Sequence, residues 1–160
     1  MKISKVIKKR SFFILVLLLL IGSPKEMLFA QENSELNIYA IYLGESDKGD
    51  ATLLESKGHG LLIDIGSASQ TGAIVEQLRK VGLTHVDVLF SHLHSDHIGS
   101  MQKVLEKYGA KLFLMPDVEY SSKTYRKLIN TIDECHITSR YVFSGDIIEW
   151  DDSCLITVLG

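Results

Sequence analysis

The chain has 160 residues, room for one domain at most, and its 46% hydrophobic and 23% charged content excludes a disordered or low-complexity protein. Residues 1–30 hold six bases and one acid, which leaves 11 bases against 19 acids, a net charge of −8, in residues 31–160. That balance argues against nonspecific nucleic-acid binding through a basic face, and there is no direct sign of nucleic-acid contact, although bound divalent cations would reverse the local field.

Lys2, Lys5, Lys8, Lys9 and Arg10 precede an unbroken apolar run over 12–22. A basic start followed by an apolar stretch of this length is the pattern of a secretory leader. The run falls short of the about 20 residues that span a bilayer comfortably. Residues 1–30 are therefore expected to be a signal peptide cleaved after Ala30, or an uncleaved membrane anchor through residues 11–22. Either places the protein outside the cytoplasm, and the membrane enters only through this segment. Residues 31–35 read as a polar linker before a domain over 36–160.

Residues 36–43 read as a strand rich in Ile and Tyr, and 44–50 as a polar loop. Two strands follow over 51–55 and 60–65, around a turn at Gly58. Ser69 or Thr71 is expected to cap a helix whose apolar face is Ile74, Val75, Leu78 and Val81 and which stops at Gly82. Residues 86–90 read as a buried strand. Ile98, Met101, Val104, Leu105 and Tyr108 mark a second helix that ends at Gly109. Residues 111–115 form a strand closed by Pro116, and Tyr125, Leu128, Ile129 and Ile132 mark a third helix. Strands over 136–143, 147–150 and 155–159 complete the order β-β-β-α-β-α-β-α-β-β-β, an α/β sandwich pattern. Cys135 and Cys154 are read either as a disulfide, which export would allow, or as two buried small side chains.

The chemistry concentrates in Ser91-His92-Leu93-His94-Ser95-Asp96-His97, directly after the strand over 86–90. Imidazole and carboxylate are donors for zinc and its borderline neighbours. Side chains two apart in an extended segment point the same way, so His92, His94 and Asp96 converge. His97 joins them only if the backbone turns, which the following helix supplies. The spacing suits two ions about 4 Å apart, His92 and His94 on one, Asp96 and His97 on the other. His59, His85 and His136 are read as non-ligands.

The motif His92-Leu93-His94-Ser95-Asp96-His97 resembles the signature of the metallo-β-lactamase superfamily. Asp64-Ile65-Gly66, at the end of its strand, resembles the family's strand-Asp-x-Gly segment. Tyr42-Leu43-Gly44 through Gly49-Asp50-Ala51-Thr52-Leu53-Leu54, with His97-Ile98-Gly99-Ser100, resembles one branch, which includes the hydrolase-like domain of competence-type DNA-uptake channel proteins. The resemblance implies an αββα sandwich with a metal site at one edge. It implies zinc, usually two ions, with manganese or iron as alternatives, and a metal-bound hydroxide attacking an ester or phosphodiester. His92, His94, Asp96 and His97 match the ligands, with Asp96 also holding or orienting the hydroxide. Asp64 matches a supporting carboxylate behind them, and Asp50 is read as lining the site.

The chain departs from this pattern in its later part. The family's further ligands, a bridging Asp and later histidines, have no counterpart here. The chain is therefore expected to hold the N-terminal portion of the sandwich only, with the C-terminal half absent and much of the inner sheet face uncovered. Self-association, or a second chain completing the sandwich, is the expected consequence. The readings left open are an exported hydrolase acting on a small-molecule or phosphodiester substrate, and a truncated, non-catalytic metal-binding fragment or interaction module.

Overall fold

A computed structural model describes residues 35–45, 49–151 and 154–159. The expected leader over 1–30 and most of the linker lie outside them. Among the described residues no helix is long and apolar enough to cross a membrane.

Six strands form one mixed sheet, ordered as in the sequence: β1 (Leu36–Ala40), β2 (Thr52–Ser56), β3 (His59–Ile63), β4 (Val86–Leu89), β5 (Leu112–Pro116) and β6 (Thr138–Val142). The first three form an antiparallel meander, and β3 through β6 run parallel. Parallel strands need crossovers, and the helices provide them. These are α1 (Thr71–Val81), the short α2 (Ser95–Ile98) with α3 (Met101–Tyr108), and α4 (Lys123–Glu134). A hairpin of β7 (Ile147–Asp151) and β8 (Cys154–Thr157) forms a separate two-stranded sheet.

The two faces of the sheet follow from strand alternation. Leu53, Leu62, Val88, Phe90, Phe113 and Met115 point to the helices and meet Ile74, Leu78, Val104, Leu128 and Ile132. Phe90 and Phe113 contact edge to face, with centroids 5.6 Å apart. Leu61, Leu89 and Leu114 point the other way, against Ile148 and Val158. The layers are therefore helices, large sheet and small sheet, which is an α/β partial sandwich.

Three expectations need correction. The inner face is not bare where it matters: Leu61, Leu89 and Leu114 are fully buried, because the β7–β8 hairpin folds over them. Neither Ser69 nor Thr71 caps α1; a 3-10 turn over Ala68–Gln70 leads into it, and the Gln70 side-chain oxygen accepts the Ser67 N–H at 2.7 Å. The helix after the histidine loop is two helices, α2 and α3. At the joint, a side chain on Gly99 would lie 2.6 Å from the Ala68 nitrogen and the Ser95 carbonyl, so only glycine lets the chain pass there. No disulfide joins Cys135 and Cys154; the first is exposed and the second buried, so only Cys154 fits the reading as a buried small side chain.

Candidate metal centre

The chemistry-bearing residues gather at the C-terminal ends of β3 and β4, where open α/β sheets place their ligands. Asp64 follows β3 in a left-handed conformation, φ 57°. Asp tolerates this region better than most residues, and such strain persists where surrounding bonds hold it. The Asp64 N–H donates to Leu89 O at 2.9 Å, Ile65 N–H to His97 O at 2.9 Å, and Gly99 N–H to Gly66 O at 2.9 Å. The turn after β3 is thus stitched to the histidine loop. The Ser100 hydroxyl, donating to Ser67 O at 2.6 Å, adds a further tie.

The loop after β4 is anchored by its buried Leu93, with His92 and the exposed His94 on either side. His97 N–H and Ile98 N–H both donate to His94 O, at 3.0 and 3.1 Å, which starts α2. That turn swings His97 back over His92. Their ring centroids lie 3.8 Å apart, and those of His92 and His94 4.8 Å apart. The turn needed to bring His97 in is therefore present, and His92 neighbours both other histidines.

Asp64 is nearly fully buried. Its Oδ1 accepts the Ser91 N–H at 2.8 Å, and its Oδ2 accepts the Ser91 hydroxyl at 2.5 Å and lies 3.0 Å from His97 Nδ1. The other nitrogen of His97, Nε2, lies 3.8 Å from Asp96 Oδ2. One donor atom from each of Asp64, His92 and His97 falls within 4.8 Å of the others. Burial, followed by the neighbouring His97, holds His92 below the ordinary histidine pKa, against an opposing pull from Asp64.

Asp50 is exposed, and its backbone carbonyl accepts the Gly66 N–H at 3.1 Å. Its neighbour Gly49 presses on the Asp96 carbonyl so closely that no side chain would fit. Asp50 thus belongs to a segment packed on the site. Among the described residues, the predicted ligands His94 and Asp96 fall outside that donor group, as do His59, His85 and His136.

Two residues at the site escape the sequence reading. Ser91 joins Asp64 to His92, its Oγ lying 3.0 Å from His92 Nδ1. The register sets Ile63 beside Leu89, which carries Asp64 and Ser91 to the same sheet end, a pairing that no local pattern announces. Tyr120, before α4, meets His94 edge to face at 5.2 Å, and no local motif announces it.

Imidazoles at this spacing, with a carboxylate behind and one beside them, are a donor set that suits zinc, and also manganese or iron. Asp64 already accepts three hydrogen bonds, which fits it to orienting the ligands.

Hydroxyacylglutathione hydrolase of Bradyrhizobium sp. is 38% identical over 45 residues, 28% of this chain and 18% of that protein. The structure titled putative diflavin flavoprotein A 5, from Nostoc sp., matches with a TM-score of 0.54 at 12% identity, over 75% of this chain and 51% of that one. The subclass B3 metallo-beta-lactamase MEM-A1, from a soil metagenome library, matches with a TM-score of 0.47 at 24% identity, over 69% of this chain and 45% of that one. The chain thus spans about half the length of these structures and a smaller share of the curated relative. The family model of the metallo-beta-lactamase superfamily matches residues 45–132, more than half of the chain and all of the segment that holds Asp64 and the histidine loop. The chain belongs to the metallo-beta-lactamase superfamily.

Proposed function

We propose that this chain carries the N-terminal share of the active site of a metal-dependent hydrolase, with His92, His94, Asp96 and His97 as ligands and zinc as the metal. The convergence of Asp64, His92 and His97 at the ends of β3 and β4 carries this reading. A metal held there supplies Lewis acidity and activates water for attack on an ester, thioester or phosphodiester. The chain's own part is to hold the imidazoles oriented. Asp64 holds His97, and Tyr120 bounds His94 on its outer side. Asp96, half-exposed beside His97, orients the attacking water.

The curated relatives are named for a glutathione thioester, and the sequence resembles a branch linked to DNA uptake. A groove of about 440 Å3 beside the loop carries Lys123 and Lys127 and none of the donor residues; the preference for a phosphodiester over a β-lactam rests on the branch resemblance alone. The leader pattern over 1–30 supports an exported or membrane-anchored protein.

The test is a hydrolysis screen of the zinc-loaded full chain against a phosphodiester, a glutathione thioester and a β-lactam. Turnover of one of the first two, abolished by chelation and by Asp96→Asn, is expected. No metal-dependent turnover of any of them would contradict the enzymatic reading. The second reading, a metal-binding module without catalysis, is favoured by one observation. Among the described residues, every member of the donor group comes from positions 64–97, and none from β5 to β8. Zinc uptake without turnover is its signature.

A further inference from the structure

We propose that Ser91 is a positioning residue that fixes the tautomer of His92, so that the single carboxylate of Asp64 sets the donor atom of two imidazoles. The purpose of this device rests on the metal-centre reading above, but its geometry rests on hydrogen bonds alone.

A serine hydroxyl has one proton. The Ser91 proton is directed at Asp64 Oδ2, 2.5 Å away. The Ser91 oxygen therefore faces His92 Nδ1, at 3.0 Å, with lone pairs only. Nδ1 must carry the ring proton, and Nε2 keeps its lone pair. The opposite tautomer would set two lone pairs against each other. On the other side of Asp64, a carboxylate accepts and does not donate, so His97 Nδ1, at 3.0 Å, is protonated as well. His97 is left with Nε2 free, the nitrogen that faces Asp96. Both rings, 3.8 Å apart, thus offer Nε2.

A neutral imidazole in water exchanges between two tautomers, and a metal takes only the one with its lone pair on the facing nitrogen. Fixing that choice in advance removes the cost of making it on binding. Loss of such an outer partner typically lowers metal affinity about 10–100-fold. The Ser91 main-chain N–H also holds Asp64 Oδ1, at 2.8 Å, and survives any side-chain substitution. Ser91→Ala therefore breaks the link to His92 while Asp64 keeps its place against His97.

The test uses the metal-free full chain with nitrogen-labelled histidine. Ring nitrogen shifts report which nitrogen of each histidine carries the proton. His92 is expected as the Nδ1–H form in wild type, as a mixture of forms in Ser91→Ala, and as Nδ1–H again in Ser91→Thr. His97 is expected as Nδ1–H in all three. Competition titration with zinc is expected to show binding weakened about 10–100-fold in Ser91→Ala and restored in Ser91→Thr. A wild-type His92 protonated at Nε2, or a Ser91→Ala protein with the His92 tautomer unchanged, overturns the proposal. The wild-type assignment decides the matter alone if Ser91→Ala does not fold. A tautomer that follows Ser91 in a protein that takes up no zinc would uphold the relay and reject the metal-centre reading.

Discussion

At the scale of the residue, the site depends on one buried carboxylate. Asp64 receives the Ser91 N–H, the Ser91 hydroxyl and His97 Nδ1. Asp64→Ala leaves these donors without a partner in a buried site, so a loss of about 2–4 kcal/mol in unfolding free energy is expected, read by urea denaturation. Gly49→Ala is expected to lower the melting temperature, because the added methyl meets the Asp96 carbonyl. His92 gives a dependence on pH. Its pKa is held down in the folded chain, chiefly by burial, below the ordinary value of about 6.5. As pH falls through that range, the unfolded chain binds a proton that the folded chain resists. The contribution of this group is therefore full above about pH 6.5 and is lost as pH falls towards the folded-state value. Urea midpoints compared at neutral pH and near pH 5 are expected to drop further for wild type than for His92→Asn.

At the scale of the element, the central strands are held by large apolar side chains on both faces. Phe113→Ala, at the middle of the helix-side core, is expected to cost about 3–5 kcal/mol, again by denaturation. The β7–β8 hairpin is the second lever. Ile148→Asp puts a charge against Leu61, Leu89 and Leu114, so binding of a hydrophobic dye and loss of the hairpin are expected. These elements were largely legible in the sequence. Apolar periodicity located α1, α3 and α4, and the apolar run over 86–90 located β4, because a parallel strand buried on both faces has little alternation. The metal loop was legible because its donors are contiguous. Ser91 and Tyr120 were not, because their roles arise from strand register and from a loop about 25 residues away. The cover over the second face was also hidden, since β7 and β8 show alternation but not which sheet they close upon.

At the scale of the whole molecule, three layers are described, and the small sheet covers the large one only in part. Tyr141, Phe143, Ile147 and Leu159 remain exposed along β6, the turn after it, β7 and the segment after β8. Exposed apolar side chains in that number near a sheet edge favour association. Light scattering behind size exclusion is expected to give a mass that rises with concentration, and charged substitutions at Phe143 and Ile147 are expected to return it to that of a monomer. The central claim, that the loop from His92 to His97 holds metal, is tested most directly by elemental analysis of the purified, dialysed full chain. At least one zinc ion per chain, lost in the His94→Ala, Asp96→Ala double variant, is the predicted result. Little or no zinc in wild type, or equal zinc in the double variant, would contradict it.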